Sequence, residues 1–222
     1  MRISIVFVAA TRRSLAEPFG GRLGTLDERD LDPDPNRQFA LWLDEARATG
    51  LAYAEAMALA TATRDGRPSA RMVLLKGHDE RGFVFFTNLE SRKGSELGAN
   101  PSAALLFHWQ PLQRQVRIEG GVTVVGDAES LAYFRTRPPE SRLAAWASPQ
   151  SHPISGRDEL ERRYREVEAR LGVESELLPP FWGGYRVHPE TMEFWQHRDN
   201  RLHDRIRYIR EGAAWRRERL AP

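Results

Sequence analysis

The stretch RMVLLKGHDERGFVFFTNLESRKG, from Arg71 to Gly94, decides the fold that we predict for this chain. Its two apolar runs, RMVLLK and FVFFT, predict two strands joined through the turn-forming residues 77–82. Ser91 is a typical helix N-cap. A helix that begins there directs free backbone N–H groups outward beside Arg92 and Lys93. The stretch therefore predicts a site for a phosphate or another anion.

Both lysines of the chain, Lys76 and Lys93, lie in this stretch, and every other cationic side chain is an arginine. Lysine presents a compact charge on a flexible stem, whereas arginine presents a planar fork. This placement favours a dedicated role in anion binding. The alternative is that both are solvated surface lysines.

Composition excludes several classes of function. The 222 residues are 41% hydrophobic and 29% charged, which is typical of a globular domain with its own core. Because 33 Lys and Arg face 31 Asp and Glu without any long basic run, we expect neither a nucleic-acid arm nor a membrane span. No cysteine is present, which excludes disulfides and thiolate catalysis. The apolar run 3–10 has the length of a secretory signal, but Arg12-Arg13 follow at once, so we expect a cytoplasmic protein.

The order of predicted elements indicates a mainly β protein. Apolar residues at helical spacing predict a helix from about residue 37 to residue 49. Strands are predicted at 56–63, 69–76, 83–87, 103–109, 115–125, 184–187 and 191–195, with a final hairpin over 204–210 and 215–220. Further helices are predicted at 127–136, with an Asp cap, and at 158–171. Such an order favours an antiparallel β-barrel with peripheral helices.

A change of composition near residue 35 divides the sequence into two parts. Residues 1–35 are rich in Gly, Pro, Asp and Arg, and predict an irregular N-terminal lead-in. Residues 36–222 then form a single domain. Gly120-Gly121 predicts a bulge in the long strand 115–125.

Three groups of residues are candidates for chemistry. Arg71 and Lys76 are five residues apart, so a regular strand places them on opposite faces. Either a bulge intervenes or the two side chains serve different groups, and with Arg92 and Lys93 at a helix start the chain could hold two anions rather than one. If 201–205 is extended, Arg201, His203 and Arg205 share one face while Leu202 points to the core. The alternative for that run is a solvated edge strand.

The third group is Tyr133, Arg137 and Ser141. The first two are four residues apart on a predicted helix, and Ser141 follows the break at Pro138-Pro139. Together they suit a phosphate monoester, although Tyr and Arg at this spacing also occur as ordinary packing. The six histidines show no metal-ligand spacing, so we expect no metal site.

Several motifs, in order, resemble the pyridoxamine/pyridoxine 5′-phosphate oxidase family. They are RMVLLKGHDERGFVFFTNLESRKGSEL, RQVRIEG, YFRTRPPESRLAAWASPQS, FWGGYRV, EFWQ and RLHDRIRY, and the resemblance covers roughly residues 34–222. It implies an FMN-binding split β-barrel that acts as a homodimer, with the flavin between subunits. It also implies oxidation of pyridoxamine or pyridoxine 5′-phosphate to pyridoxal 5′-phosphate, with dioxygen reduced to hydrogen peroxide.

The resemblance also implies roles for individual residues. Those expected to bind FMN are Arg71, Met72, Val73, Leu74, Leu75, Lys76, Phe86, Thr87, Arg92, Lys93, Gln115, Gln150, Ser151, Trp195 and Arg205. The substrate phosphate would be held by Lys76, Tyr133, Arg137 and Ser141. Arg201 and His203 would be the catalytic pair over the pyridine ring.

The N-terminus departs from the family pattern. The Arg-x-x-Tyr pair expected near Pro18 and Gly21, in a segment that covers the substrate, is absent, and Phe86 stands where the family often has Tyr. Two alternatives stay open. One is a related split-barrel flavoenzyme, a phenazine-type oxidase or a deazaflavin-dependent reductase, and the other is a non-catalytic flavin- or pyridoxal-phosphate-binding protein.

Overall fold

The structure, a computed structural model, describes residues 25–173 and 175–222. The predicted substrate-covering segment near Pro18 and Gly21 lies outside these residues. In chain order the elements are α1 (Pro35–Ala48), β1 (Ala56–Ala62), β2 (Pro68–Leu74), β3 (Gly77–Asp79), β4 (Gly82–Asn88), α2 (Arg92–Ala99), β5 (Ser102–Trp109), β6 (Arg114–Val124), α3 (Asp127–Arg135), α4 (Pro139–Ala147), α5 (Arg157–Leu171), β7 (Trp182–Gln196), β8 (Asp204–Glu211) and β9 (Ala214–Arg219). Short 3₁₀ turns at Gln110–Leu112 and Asp199–Arg201 precede β6 and β8.

The strands form one antiparallel sheet in the order β2-β1-β5-β6-β7-β4-β3, with β8 paired to β7 and β9 to β8. The expected antiparallel split barrel with peripheral helices is confirmed. Strand β7 pairs with β6 along one edge, and along the other it pairs first with β4 and then with β8. The sheet therefore branches at β7.

The branch point lies at residues 188–190, where we predicted a gap between two strands. That prediction was wrong, since β7 is continuous from Trp182 to Gln196. The predicted bulge lies at the expected position, because the β6–β7 register shifts between Glu119 and Gly120, but the extra residue belongs to β7 and not, as predicted, to the strand that contains Gly120. The residue left without a partner in β6 is Glu190 of β7.

The main core lies between the sheet and α1. Phe39, at the centre of the predicted apolar stripe, meets the rings of Phe83 and Phe107 edge to face, each at 4.9 Å. Edge-to-face packing adds to the free energy gained from burying these rings. A smaller apolar cluster lies between α4 and α5, around Leu143 and Val167.

Three local predictions are corrected. The break at Pro138-Pro139 is present, since α3 ends at Arg135, but helix α4 was not predicted; it begins at Pro139, where a proline's missing N–H leaves no bond unmade. Helix α3 has no Asp cap, since Gly126 precedes it and Asp127 lies in its first turn. Part of the predicted turn 77–82 is the short strand β3, which pairs with β4.

Residues 25–34 have no helix or strand, but they are tied to the C-terminal hairpin. Leu26 and Leu31 join the main core. The Leu26 N–H donates to Asp204 Oδ2 at 3.1 Å, and the Tyr208 hydroxyl donates to the Asp32 carbonyl at 2.8 Å. The chain therefore enters the described fold beside the start of β8.

We predict opposite effects for two glycines of α2. A Cβ at Gly94 would lie 1.9 Å from the Leu89 carbonyl oxygen, whereas a Cβ at Gly98 meets nothing within 4 Å. Gly94→Ala should lower the free energy of unfolding by about 2 kcal/mol or more. Gly98→Ala should raise it by about 0.5–1 kcal/mol, because alanine favours a helix interior. Urea unfolding of both variants tests this, and equal shifts of one sign would contradict it.

Candidate functional site

A cavity of about 890 Å³ opens between the ends of β2 and β4 and the helices α3 and α4. Most of the predicted site residues line it. They are Arg71, Met72, Val73, Leu74, Lys76, Phe86, Thr87, Lys93, Tyr133, Arg137, Ser141 and Gln150. Leu75 is instead buried in the main core, and neither Arg92 nor Ser151 is among the lining residues.

Arg71 and Lys76 both line this cavity, as do residues from both faces of β2, so strand parity does not separate them. The parity argument required a regular strand through both residues, but β2 ends at Leu74. Beyond that end, the Lys76 N–H donates to the Val84 carbonyl at 2.8 Å, and the Lys76 ammonium lies 5.8 Å from the ring centre of Tyr133. The expectation of two separate anions loses that support.

Lys93 is a buried cation whose hydrogen-bond partners, among the described residues, are all neutral. Its side chain projects from the first turn of α2, which the Ser91 hydroxyl caps. Its Nζ lies 2.7 Å from Gln150 Oε1, 3.1 Å from Thr87 Oγ1 and 3.2 Å from Ser91 Oγ. Burial, and next the charge of Arg71, lower the pKa of Lys93 to about 8. An anion at this point would offset both effects.

Arg71 is held in a different way, by the buried carboxylate of Glu96. Arg71 Nη2 lies 3.3 Å from Glu96 Oε2, and its Nη1 donates to Thr61 Oγ1 and to the Leu59 carbonyl. Arg92 Nε donates to the other Glu96 oxygen at 2.8 Å. Burial raises the pKa of Glu96, but bonds from Ser69, Thr61 and the two arginines outweigh it and hold that pKa at about 2.

Three nearly parallel rings form one wall of the cavity. Phe86 stacks on Tyr133 at 4.2 Å and on Trp182 at 5.4 Å, with interplanar angles of 14° and 5°. Gly184 makes room for this stack, since a Cβ there would lie 2.7 Å from the Phe86 ring. The ring of Phe86 thus occupies the site of the family's Tyr without a hydroxyl.

The Arg137 side chain lies against the same wall of rings, and no carboxylate of the described residues pairs with it. Its guanidinium carbon lies 5.0 Å from the ring centre of Trp182 and 5.6 Å from that of Phe134. Its Nη1 atom is buried and makes no hydrogen bond within the described chain. Burial lowers the pKa of Arg137. A buried donor with no acceptor is the arrangement expected of a ligand-binding group.

The remaining predicted residues form a second cluster outside the cavity. Gln115 pairs with Trp195 in the sheet, and Trp195 pairs with Arg205. The ring of Trp195 lies 4.7 Å from that of His203. Arg205 is held by the buried carboxylate of Glu193, at 2.7 Å and 3.1 Å.

The predicted shared face of Arg201, His203 and Arg205 is wrong. Asp199–Arg201 is a 3₁₀ turn, β8 begins only at Asp204, and Leu202 is 69% exposed instead of pointing to the core. Arg201 has φ +61° and Ser151 has φ +71°. The left-handed region costs a non-glycine residue about 1–2 kcal/mol. Two predicted site residues are therefore strained, which is common at functional sites.

The two clusters lie at opposite ends of β7. Trp182, in the cavity wall, begins the strand, and Trp195, in the second cluster, lies next to its last residue. At about 3.3 Å per residue, roughly 40 Å of strand contour separates them. The structure does not bring the predicted site residues together within one chain.

Trp182 and Glu96 are among the residues of the site that sequence reasoning missed. Trp182 lines the cavity, and Glu96 holds Arg71. Neither carries a spacing signal. An acidic residue is not expected to contribute to an anion site. The role of Glu96 becomes visible only in the folded structure, where it contacts Arg71. No group of three or more potential metal ligands comes together in the described part of the chain, and none of its helices is long and apolar enough to cross a membrane.

Comparison with known proteins gives a consistent result. Residues 43–171 match the family model described as pyridoxamine 5′-phosphate oxidase, and residues 182–222 match one described as the pyridoxine 5′-phosphate oxidase C-terminal dimerisation region. A pyridoxine/pyridoxamine 5′-phosphate oxidase from Rubrobacter xylanophilus is 60% identical over 89% of this chain and 91% of its own. One from Cupriavidus taiwanensis is 57% identical over 90% and 94%.

Two solved structures share the architecture. PhzG from Burkholderia lata, in complex with tetrahydrophenazine-1-carboxylic acid, has a TM-score of 0.84 and 34% identity, covering 91% of this chain and 100% of that one. An FMN-binding protein from Nostoc punctiforme, related to pyridoxamine 5′-phosphate oxidase, has a TM-score of 0.69 and 20% identity, covering 86% and 100%. The second likeness shows the fold alone.

The low pKa of Lys93 predicts how anion affinity depends on pH. A bound phosphate returns this pKa toward its ordinary value, so affinity is nearly constant between about pH 7, where the phosphate monoester is mostly doubly ionised, and about pH 8, and it falls by up to tenfold per unit above that. Titration with FMN, the phosphate ester that the resemblance implies, from about pH 7 to about pH 10 measures this. Lys93→Arg should remove the slope, because a guanidinium stays charged. The same slope in both proteins would assign the titration to another group.

Proposed function

This chain belongs to the pyridoxamine 5′-phosphate oxidase family, and from that premise we propose how its two clusters carry out the family's reaction. The protein is an enzyme that oxidises pyridoxine and pyridoxamine 5′-phosphate to pyridoxal 5′-phosphate. Identities of 55–60% to oxidases with that name support this assignment over nearly the whole chain. The cofactor is FMN and the electron acceptor is dioxygen in this proposal.

The donor set of the cavity fits FMN. Lys93 is buried with its charge unpaired by any carboxylate, and it lies at the N-terminus of α2, where backbone N–H groups favour an anion. Arg71, Arg92 and Ser151 complete the group that holds the FMN phosphate or its ribityl arm. The rest of the flavin site comprises Met72, Val73, Leu74, Leu75, Lys76, Phe86, Thr87, Gln115, Gln150, Trp195 and Arg205. When bound, FMN supplies an isoalloxazine ring that accepts two electrons from C4′ of the substrate and passes them to dioxygen.

The substrate phosphate is held by Lys76, Tyr133, Arg137 and Ser141. The single observation that carries this assignment is the buried Nη1 of Arg137, a donor with no acceptor in the described chain. A phosphate oxygen satisfies that donor and offsets the burial of the guanidinium. Fixing the substrate by its phosphate lowers the barrier mainly by orienting C4′.

Arg201 and His203 are the catalytic pair over the pyridine ring. His203 Nδ1 accepts the Arg198 N–H at 3.1 Å, so a neutral His203 carries its proton on Nε2 and can donate it. Arg201 has a left-handed backbone conformation, which is common at functional sites. The pair thus orients the substrate and supplies hydrogen bonds to it.

A homodimer completes the site, since the second cluster lies at the far end of β7 in its own chain. The C-terminal region matches a dimerisation region. An apolar row also crosses the outer face of β2, β1 and β5, where Met72 and Leu106 both pair with Ala58 and are 64% and 37% exposed. Exposed apolar rows of this kind are typical of subunit interfaces. Each active site then takes its cavity from one subunit and its second cluster from the other.

A phenazine-type oxidase is the second candidate, because the structure of PhzG has a TM-score of 0.84 to this chain. The identity to PhzG is 34%, against 60% to the oxidase from Rubrobacter xylanophilus. A substrate without a phosphate also has no need of the cations around Tyr133. Purified protein that is yellow and consumes oxygen with pyridoxine 5′-phosphate supports the proposal. A colourless protein, or oxygen uptake only with a dihydrophenazine carboxylate, contradicts it.

We expect Lys76 and Arg71 to separate functionally. Lys76→Ala should raise KM for pyridoxine 5′-phosphate at least tenfold while the protein stays yellow and loses less FMN affinity than Arg71→Ala does, since a charge-assisted bond contributes about 1.5–3 kcal/mol. Arg71→Ala should instead weaken FMN binding at least tenfold. Steady-state kinetics and FMN titration of both variants distinguish the two effects. A colourless Lys76→Ala protein with normal KM after reconstitution would reverse the assignment.

A site shared between subunits predicts complementation. Arg137→Ala and His203→Ala each remove one half of every site, so each homodimer should be nearly inactive. Heterodimers of the two variants contain one intact site, so a random mixture should recover about a quarter of wild-type activity. Co-expression with two affinity tags provides the measurement. No recovery in purified heterodimers would place both halves in the same chain.

A further inference from the structure

Two arginines of the cavity are held in contrasting ways. Terminal nitrogens of Arg71 are engaged by Glu96, Thr61 and the Leu59 carbonyl. Arg137 lies instead against aromatic rings, nearest to Trp182, with one terminal nitrogen buried and unbonded. A carboxylate neutralises a guanidinium and occupies its N–H donors. The face of an indole attracts the cation without accepting its in-plane N–H bonds.

Trp182 also lies near Tyr133, the aromatic member of the proposed phosphate clamp. Its ring is parallel to that of Tyr133 within 8°, at 6.1 Å, with Phe86 stacked against both. Phe134 packs edge-on against the indole at 5.0 Å. One side chain therefore contacts Arg137 and, through Phe86, supports Tyr133.

The indole is held rigidly by the framework. Trp182 is the first residue of β7, it pairs with Asn88 of β4, and it is 7% exposed. The backbone N–H of Trp182 donates to the Pro179 carbonyl at 3.0 Å. A residue fixed in this way can set the place of a guanidinium on α3's C-terminal side before a ligand arrives.

We propose that Trp182 is a positioning residue for the substrate phosphate, and that it holds the Arg137 guanidinium by its ring face while leaving the N–H donors free. This inference rests on the proposed function, since it assigns the means by which the phosphate clamp is preorganised. It predicts that Trp182 acts on phosphate affinity through Arg137 and has little effect on FMN.

The test is a double-mutant cycle on the FMN-loaded protein. The probe is 4-deoxypyridoxine 5′-phosphate, which keeps the phosphate but lacks the group that is oxidised, and its affinity is measured by calorimetry. Trp182→Leu and Arg137→Ala should each weaken binding about tenfold, equivalent to about 1.4 kcal/mol. Trp182→Phe should have a smaller effect. In the Arg137→Ala background, the Trp182 substitutions should lose most of their effect.

Trp146→Phe is the matched control. Trp146 forms a similar pair with Arg170, at 5.7 Å, and is not among the residues lining the cavity. Probe affinity and FMN affinity should both be unchanged in this variant. FMN affinity should also stay within about twofold in Trp182→Phe, which separates positioning from a general loss of structure.

The outcomes discriminate between the inference and its premise. The inference alone is overturned if the losses of probe affinity add up in the double variant. It is also overturned if Arg137→Ala weakens probe binding while the Trp182 variants bind the probe normally. Unchanged affinity in Arg137→Ala overturns the phosphate clamp of the proposed function. If Trp182→Leu does not fold, the cycle between Trp182→Phe and Arg137→Ala decides in the same way.

Discussion

The change of partner along β7 is the constraint on which the rest of this structure depends. Pro189 has no N–H to donate to a neighbouring strand. Next to it, Gly120 lies so close to β7 that a Cβ would be 1.9 Å from the His188 carbonyl oxygen. Arg210 of β8 donates to the Pro189 carbonyl at 2.9 Å. The strand therefore continues through the bulge while β4 gives way to β8 on its other edge.

The two clusters of site residues follow from this branch. Strand β4 places Phe86 and Thr87 against the first half of β7, whereas β8 places Arg205 against the second half. The two ends of β7 are too far apart for their residues to meet in one site. In the function that we propose, each chain therefore carries two half-sites, and a second copy of the chain supplies the missing half.

Positively charged side chains line the cavity, and no acidic side chain is among its described lining residues. Lys93 is held by neutral oxygens, Arg137 by aromatic rings, and Arg71 by a carboxylate that has two arginines to neutralise. Neutral oxygens and rings leave the cationic charge available to a ligand, at the expense of burying it. Burial of these two cations is also the main cause of the lowered pKa values of Lys93 and Arg137.

Where sequence reasoning failed, it had assumed regular geometry. The parity of Arg71 and Lys76 and the shared face of residues 201–205 both required extended strands, but β2 ends at Leu74 and Arg201 lies in a left-handed turn. Helix α4 was missed because a Pro-Pro pair was interpreted only as a break. The motif-based residue set was more useful, since most of its members line one cavity.

The sequence by itself determined the strand-rich architecture, the capped helix at Ser91 and the family. These features depend on local periodicity, capping chemistry and motifs, which are carried by residues close in the chain. Only the tertiary structure decided which cations keep free donors, which are neutralised, and that the site divides between the two ends of β7. Those properties arise from contacts between residues distant in sequence, such as Arg71 with Glu96 and Arg137 with Trp182, and no local pattern records them.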